Sequence, residues 1–518
     1  MNKRERLAWG ALIAFALVLR LAALGARPPH HDESIHCDFA YNLLNQGTYR
    51  YDPTYHGPLI YYVMAPLFLV LGASTAVGRL YPALAGVALV ALPLMLRRRL
   101  GAGAAWWSGL VLAISPIMLY YSRFAREDVP VAFFTSLALA LFLLVRRKGW
   151  KTIPWIGVAA SGHAMMKETF YVTAPLLCFS VYIVALRDGV WANVRRGFAW
   201  VDRYRVPVGT AFLWFFAITV TAFTVFFVHP EDWAFPIKAV SYWYSQHHVQ
   251  RVGGPWFYHL PRLALYEFLP IAAALAWAIR RGRRMKRLEV FCLAWGLSSV
   301  AMYAYLGEKV PWLAVHQVLP FVPLAGAQLS RTFSSRGRRW SQSLAVIGLV
   351  ATAWSALASS FLHPAVTTSD RHAELIVFVQ TTPEEQALAE YGRALAATHG
   401  EGMVAAVDGE ASWPLSWQWK KIPVWWATPQ AGMHPLLVVC DPDKEGSVRE
   451  LLGDGYTTRR IPLRAWWVEE MGGSKFSDMV GWFFTPRGLS ATAEWFFTRR
   501  AWSPIGATDV LVFESGKK

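Results

Sequence analysis

The chain has 518 residues, of which 55% are hydrophobic and 15% aromatic, and it carries a net charge of +17. An apolar share above the roughly 45–50% of soluble domains indicates an integral membrane protein and argues against a soluble enzyme. The four cysteines show neither metal-ligand spacing nor the pattern of a disulfide framework.

The positive charge occurs in short clusters, each beside an apolar stretch. These clusters are Lys3-Arg4-Arg6, Arg97-Arg98-Arg99, Arg146-Arg147-Lys148, Arg195-Arg196, Arg280-Arg281-Arg283-Arg284-Lys286-Arg287 and Arg336-Arg338-Arg339. This distribution is typical of the cytoplasmic loops of a multi-pass protein. Nucleic acid is not an expected partner, because binding it needs basic residues on one continuous face.

Many stretches are long enough to span a bilayer, which takes roughly 20 mostly apolar residues in a helix. They lie near residues 8–25, 79–96, 104–121, 129–145, 152–166, 169–186, 207–228, 260–279, 288–306, 312–329 and 341–361. We therefore predict an α-helical polytopic protein with about 11 to 12 transmembrane helices. Membrane lipids surround such a protein.

Two apolar stretches have alternative interpretations. Residues 58–71 are predicted to be re-entrant or interfacial, because a full crossing there would place the later basic clusters outside. Residues 1–25 also have the basic start and apolar core of a signal peptide. Arg20 within that core favours a transmembrane helix.

After about residue 362 the long apolar runs stop. Strand-like segments such as "ELIVFVQ", "GMVAAVDG" and "PLLVVCD" alternate with helical ones such as "PEEQALAEYGRALAATHG". We predict a transmembrane domain over residues 1–361 and a soluble α/β domain over residues 362–518. The second domain is expected on the extracytoplasmic side, together with the short loops that carry acidic residues.

The first of these loops contains "HHDESIH", with His31, Asp32 and Glu33 just beyond the first span. Ionisable groups at a membrane boundary are costly to desolvate, so several converging ones suggest function. Asp32 or Glu33 is suited to act as a general base, with a histidine nearby. The structural alternative is that Asp32 or Ser34 caps the following helix.

Two further groups lie on the same predicted side. His56 precedes an apolar helix that starts at a proline, a position suited to binding an anion. The segment "SRFARED" contains Arg126, Glu127 and Asp128 between two spans. Arg126 is a candidate phosphate ligand, because a guanidinium matches phosphate oxygens in pairs. It is also able to pair simply with Glu127, and Asp128 is a plausible helix cap.

The last two groups are Lys167 with Glu168, and Glu308 with Lys309. Lys167 and Glu168 lie between closely spaced helices and must reach either water or each other. His316, about a turn and a half beyond the second pair, reads more readily as a core histidine. The aromatic residues from Trp233 to Tyr258 fit either an interfacial belt or a platform for a sugar or prenyl chain.

Several of these segments carry a family resemblance. The acidic pair after the first helix, "HGPL", "RLYPALAGV" and "SRFARED" resemble the polyprenyl-phosphate-sugar glycosyltransferases of the GT-C superfamily, which include protein O-mannosyltransferases and aminoarabinose transferases. "GEKVPWLAVHQVLP", "FVQTTPE" and "EASWPLSWQW" are similar to the Agl23-like, flippase-activity-associated subgroup. This sequence has one proline in "HGPL" where the family's box usually has two.

The resemblance implies a glycosyltransferase that moves a sugar from a polyprenyl-phosphate donor to an acceptor protein, lipid or glycan. By that analogy Asp32 or Glu33 is the catalytic base, and Arg126, Lys167 and Lys309 hold the donor phosphate. No nucleotide-binding motif is present, and the use of a divalent metal stays open. A lipid-sugar flippase or a scaffold for glycan assembly is the alternative, although transporters place ionisable residues nearer the midplane.

Overall fold

The computed structural model describes residues 1–249, 254–335, 339–399, 402–467 and 475–516. Arg336 and Arg338 of the last basic cluster lie outside these residues. Six described helices are long and apolar enough to cross a membrane: Thr75–Leu100, Asp128–Lys148, Phe170–Asp188, Arg205–Phe223, Arg287–Tyr305 and Arg339–Leu362. Two bent pairs raise the number to eight: Ala102–Ile114 with Pro116–Ser122, and His259–Tyr266 with Phe268–Arg284. The predicted helical polytopic architecture is confirmed.

The number of qualifying helices is lower than the eleven or twelve expected from the sequence. The predicted span at 152–166 is a helix of only 14 residues, Ile153–Met166. The predicted span at 312–329 is divided into short α and 3-10 segments, with Pro311 and Pro320 each near the start of a 3-10 turn. Proline lacks a backbone N–H and interrupts a helix. The first helix, Lys3–Leu21, begins with four charged residues.

The apolar stretch at 58–71 forms the helix Leu59–Leu71. Its 13 residues extend about 20 Å at 1.5 Å per residue, less than the ~30 Å hydrocarbon core. This length agrees with the predicted re-entrant or interfacial segment. The other helices before residue 362 are His31–Gln46, Val190–Arg203, Phe235–Val249, Ala314–Val318 and Val322–Ser334.

The C-terminal region forms one six-stranded mixed sheet, which confirms the predicted α/β architecture. Its strands are β1 (Gln380–Thr381), β2 (Ala405–Val407), β3 (Val424–Trp425), β4 (Leu437–Cys440), β5 (Tyr456–Trp467) and β6 (Ile505–Ser515). The order across the sheet is β1-β5-β6-β4-β2-β3, with β2 parallel to β3 and β4 and the other pairs antiparallel. Its helices are Pro383–His399, Ser412–Gln418, Glu445–Leu452, Phe476–Phe483 and Pro486–Thr498.

The strand predicted over "ELIVFVQ" is wrong for residues 374–379, and only Gln380 and Thr381 join the sheet. The apolar side chains of Leu375 and Ile376 pack instead into the core shared with the membrane helices. Arg262 Nε donates to the carbonyl of Leu375 at 2.9 Å, so this backbone is bonded outside the sheet. Tertiary packing overrides the strand pattern here.

Contacts between the two parts of the chain are extensive. Trp417 stacks on Phe68 with ring centres 5.4 Å apart, and its indole N–H donates to Thr75 Oγ1 at 2.9 Å. Trp354 of the last spanning helix donates to the carbonyl of Phe496 at 2.9 Å. Since apolar side chains pack across residue 362, the domain division at that position stays a prediction.

A buried carboxyl lies in the C-terminal region under the helix Ser412–Gln418. Glu385 is fully buried, and Gln418 Nε2 lies 2.9 and 2.8 Å from its two oxygens. Burial raises the pKa of Glu385 from about 4.5 to about 8. Between pH 4.5 and about 8 the Glu385 carboxyl is therefore protonated in the folded state but ionised in the unfolded state.

We expect this group to make stability fall as pH rises. Below about 4.5 the carboxyl is protonated in both states and its contribution is fully present; it is lost as pH rises to about 8. Glu385→Gln should flatten the melting temperature of the full chain across that window. Glu390→Gln, at an exposed position of the same helix, is the control, and an equal slope in wild type and Glu385→Gln would contradict this assignment.

Candidate active site

A cavity of about 520 Å³ lies between the membrane helices and the C-terminal sheet. Seven of the predicted site residues line it: His31, Asp32, His56, Arg126, Lys167, Glu168 and Glu308. They come from five separate loops or helix ends. The other four predicted residues, Glu33, Glu127, Asp128 and Lys309, are not among its lining residues.

Asp32 and Arg126 form an ion pair at the wall of this cavity. Asp32 lies in the first turn of the helix His31–Gln46, and its carboxylate contacts Arg126 Nη1. The Asp32 side chain is 25% exposed, whereas that of Arg126 is 4% exposed. The guanidinium lies 3.9 Å above the ring of Trp312, which fixes its plane. The pair thus presents a carboxylate to the cavity beside a rigidly held cation.

Lys167 reaches the same cavity from the end of the helix Ile153–Met166. Its Nζ lies 2.8 and 3.0 Å from the two carboxylate oxygens of Asp128. His316 Nε2 is 3.2 Å from the same carboxylate, and Arg126 Nε is 3.7 Å from it. Asp128 therefore holds the cations in place and does not cap its helix, so that alternative is wrong. His316 is a buried histidine with a specific carboxylate partner.

Glu33 points away from the cavity into a fully buried ion pair with Arg79. Arg79 Nε and Nη2 donate to its two oxygens at 2.7 and 2.6 Å. The backbone N–H groups of Ala125 and His30 donate to the same carboxylate at 2.7 and 2.9 Å. Burial raises the pKa of Glu33, but the charge and hydrogen bonds of Arg79 outweigh it and lower the pKa to about 2.

Helix capping in this loop involves Glu33 and not Asp32. His30 is the N-cap residue, and its Nδ1 accepts from the N–H of Asp32 at 3.0 Å. The Glu33 carboxylate returns to the N–H of His30, which completes a capping box. The alternative in which Asp32 or Ser34 caps this helix is wrong, and Asp32 is left facing the cavity.

Glu127 lies behind the cavity, next to His36. His36 Nε2 is 3.0 Å from Glu127 Oε1, and His36 Nδ1 is 3.0 Å from the hydroxyl of Tyr61. Arg126 Nε is 3.9 Å from Glu127, farther than its contact with Asp32. The predicted simple pairing of Arg126 with Glu127 is therefore secondary to the pairing with Asp32.

His56 and Glu168 form a second polar pair in the cavity wall. His56 Nδ1 lies 2.8 Å from Glu168 Oε2, and the imidazole stacks on Trp243 with ring centres 5.5 Å apart. Tyr51 donates to the other oxygen of Glu168 at 3.3 Å. Lys167 and Glu168 thus have different partners and do not pair with each other.

The two residues of the last predicted pair, Glu308 and Lys309, have different roles. Glu308 lines the cavity, and its Oε2 has no hydrogen-bond partner among the described residues. Lys309 Nζ donates to the carbonyls of Tyr303 and Ala304, at 2.9 and 2.7 Å, and to that of Leu306. These carbonyls stand at the end of the helix Arg287–Tyr305, so Lys309 caps that helix.

Four of the lining residues that were not predicted as site residues carry an aromatic ring or a charge near the C-terminal sheet. Trp312 and Trp413 contribute indoles, Phe378 a phenyl ring, and Arg464 a guanidinium from β5. Trp312, Trp413 and Phe378 lie in segments that carried the family resemblance, so a signal was present. Arg464 lies in the same strand as Arg459 and Arg460, and nothing in the sequence distinguishes it from these two arginines.

No group of three or more histidine, cysteine, aspartate and glutamate side chains is arranged to hold a metal ion in the described ranges.

Two sequence comparisons match parts of this chain to known proteins. Residues 55–201 match the family described as dolichyl-phosphate-mannose-protein mannosyltransferase. An uncharacterized protein of Aquifex aeolicus (strain VF5) is 28% identical over 146 residues, which is 26% of this chain. The match spans only 29% of that relative's length.

Two solved structures share the fold. The crystal structure of ArnT from Cupriavidus metallidurans bound to undecaprenyl phosphate aligns with a TM-score of 0.64 and 18% identity, over 88% of this chain and 95% of that chain. The Archaeoglobus fulgidus oligosaccharyltransferase tethered to an acceptor peptide aligns with a TM-score of 0.51 and 14% identity, over 86% of this chain and 70% of that one.

These matches define the fold. The chain has the fold of ArnT and of the oligosaccharyltransferase, and residues 55–201 match the mannosyltransferase family model. It is a multi-pass membrane protein whose architecture resembles that of ArnT over 88% of the chain.

Proposed function

We propose that this chain transfers a sugar from a polyprenyl-phosphate donor to an acceptor hydroxyl in the 520 Å³ cavity. The observation that carries the proposal is the Asp32–Arg126 pair at the cavity wall, with Lys167 lining the same cavity. Such a transfer needs a base for the acceptor and cations for the departing phosphate. The family match over residues 55–201 supports a lipid-phosphate donor.

The donor phosphate would bind Arg126 and Lys167. Both are predicted phosphate ligands, and both line the cavity. His56 stands in the same wall and is a third candidate ligand. Lys309 is predicted from the sequence as a phosphate ligand, but we propose that it caps a helix instead. Its Nζ donates all three of its hydrogen bonds to backbone carbonyls. Glu168, Glu308 and His31 remain candidates for contacts with the sugar or acceptor.

Asp32, and not Glu33, is the proposed base. Asp32 would accept the proton of the acceptor hydroxyl while the acceptor oxygen attacks the anomeric carbon of the sugar. The bond from that carbon to the phosphate oxygen breaks, and polyprenyl phosphate leaves with the electron pair. The energy comes from the sugar-phosphate bond, so no nucleotide is needed.

The ion pair suggests how donor binding prepares the base. A phosphate that engages Arg126 competes with Asp32 for the same guanidinium. A carboxylate released from that guanidinium is free to accept a hydrogen bond from the acceptor hydroxyl. The donor therefore activates Asp32 by drawing Arg126 away from it.

The acceptor would enter from the side of the C-terminal domain, where Phe378, Trp413 and Arg464 line the cavity. Two aromatic rings and a cation suit a sugar face or a polar chain. Protein, lipid and glycan acceptors all fit this chemistry. The assignment to the flippase-activity-associated subgroup rests on the short motifs of the sequence alone, and the comparisons give it no support.

Replacing Arg126 or Lys167 by alanine should weaken donor binding. Each change removes one charged hydrogen-bond donor, so we expect affinity for undecaprenyl phosphate to fall about tenfold or more. The measurement is equilibrium binding of that lipid to the full chain in detergent, with the melting temperature recorded for each variant. Loss of the fold would instead indicate a structural role.

Lys238→Ala is the matched control. Lys238 is ion-paired with Asp232, but it does not line the cavity. Its removal should leave donor affinity unchanged. If Arg126→Ala and Lys167→Ala also bind the lipid like wild type, these residues are not the phosphate ligands.

We further propose that the C-terminal domain lies outside the cytoplasm, opposite the basic clusters. In a Cys178→Ser background, which removes the exposed native cysteine, Ser447→Cys should react with an impermeant maleimide added outside intact cells. Ser334→Cys, exposed beside the last basic cluster, should react only after the membrane is opened. Labelling of Ser334→Cys from outside would contradict this orientation.

A further inference from the structure

The helix Ser412–Gln418 borders two cavities. Trp413 lines the candidate active site, whereas Trp417 and Gln418 line a second cavity of about 310 Å³. The opposite wall of the second cavity comes from residues 25–29, after the first helix, and from residues 73–75. It therefore lies at the junction of the membrane helices and the C-terminal sheet.

All the charged residues that line this second cavity, within the described chain, are cations: Arg27, Arg393 and Lys420. Lys420 Nζ lies 3.8 Å above the ring of Trp417 and donates to the carbonyl of Trp417 at 3.2 Å. The Arg27 side chain is only 10% exposed, and its Nε has no hydrogen-bond partner among the described residues. An anion in the cavity would lower the repulsion among these three cations.

The nearby carboxylates neutralise this group only in part. Glu33, 3.8 Å from Arg27, is already bound by Arg79, and Asp38 accepts from Asn42 at 2.9 Å. Burial lowers the pKa of Lys420 to about 8; the charges of Lys421 and Arg393 act in the same direction, and that of Asp38 acts against them. A bound anion would offset that cost.

An apolar surface adjoins the cations. Trp417 stacks on Phe68, and the next three residues, Leu69, Val70 and Leu71, are 70%, 77% and 55% exposed. They end the apolar helix Leu59–Leu71, directly before the segment that lines the cavity. An anion held by Arg393 and Lys420 would thus lie next to a surface suited to acyl chains.

We propose that this second cavity binds the phosphate headgroup of an anionic membrane lipid, with its acyl chains along Leu69–Leu71. The shared chemistry is a phosphate group, and the apolar rim selects a lipid over a free anion. This site is separate from the candidate active site and does not require the proposed transfer activity. It would tie the C-terminal domain to the membrane surface.

The test is equilibrium binding of dioctanoyl phosphatidylglycerol to the full chain in neutral detergent. Wild type should bind this lipid at least about tenfold more tightly than dioctanoyl phosphatidylcholine or inorganic phosphate. The double variant Arg393→Gln/Lys420→Gln should lose about tenfold or more in affinity. Arg393→Gln alone, at an exposed position that the fold tolerates, should show part of that loss.

Arg459→Gln/Arg460→Gln is the control, since it removes two exposed cations of β5 that lie outside the cavity. It should bind the lipid like wild type. Equal affinity in wild type and in the Arg393→Gln/Lys420→Gln variant, or absence of binding to wild type, would overturn the proposal. Inorganic phosphate binding as tightly as the lipid would overturn the assignment to a lipid. Asp32→Asn should leave this binding intact, which separates the site from the transfer activity.

Discussion

Asp32→Asn should abolish sugar transfer while leaving undecaprenyl phosphate bound. An amide keeps the size of the carboxylate but cannot take up the acceptor proton, and loss of a general base costs about a hundredfold or more in rate. The fold should survive, because Arg126 keeps Asp128 at 3.7 Å and Glu127 at 3.9 Å as neighbouring charges. The measurement pairs the initial rate of transfer with equilibrium lipid binding.

Asp38→Asn is the matched control for that experiment. Asp38 stands on the same helix, His31–Gln46, and accepts a hydrogen bond from Asn42, but it does not line the cavity. Its replacement should leave the transfer rate near that of wild type. Near wild-type turnover by Asp32→Asn would show that the first loop is not the catalytic site.

Glu33→Gln should have a different effect, a large loss of stability. It removes the charge that faces the buried guanidinium of Arg79, and breaking one partner of a buried ion pair costs about 3–5 kcal/mol. The expected result is a strongly lowered melting temperature of the full chain. Glu5→Gln, which opens the partly exposed pair with Arg97, is the control and should change stability far less.

The pH dependence of this pair has a defined sign. Glu33 has its pKa lowered from 4.5 to about 2, so its stabilising contribution is present above about 4.5 and is lost as pH falls towards 2. Glu33→Gln should therefore remove part of the acid sensitivity of the protein. A variant that melts like wild type at neutral pH would mean that the Arg79 pair contributes little.

The sequence predicted the class of fold and seven of the residues that line the cavity. Asp32, Arg126, Lys167 and His56 were found because charged residues at the ends of apolar helices are costly unless they have a use. The α/β architecture of the C-terminal region followed from short strand-like segments between helical ones. The division of the chain at residue 362 stays a prediction.

The sequence did not distinguish Asp32 from Glu33. Adjacent residues of a helix point about 100° apart, so one carboxylate faced the cavity and the other faced the core. Arg79 is the residue that draws the Glu33 carboxylate into the core. It lies 46 positions from Glu33 in the sequence and contacts it only in the folded chain. An arginine next to an apolar run was the available signal, since such a residue needs a buried partner.

The roles of Lys309 and Asp128 also depended on tertiary contacts. Lys309 looked like a free cation in a turn, but backbone carbonyls at a helix end occupy it. Asp128 looked like a helix cap, but Lys167 and His316 converge on it from two other helices. Neither contact leaves a local pattern in the sequence, because the partners are distant along the chain or belong to the backbone.

The central claim is that a lipid-linked sugar is cleaved and transferred in the Asp32 cavity. Its most direct test is incubation of the purified chain in nanodiscs with a panel of labelled polyprenyl-phosphate sugars and an extract of candidate acceptors. We predict that at least one donor is consumed, that polyprenyl phosphate is released in equal amount to the transferred sugar, and that Asp32→Asn releases none. If no lipid-linked sugar is cleaved, and the chain in sealed vesicles moves an intact one across the bilayer instead, the transferase account is contradicted in favour of a flippase.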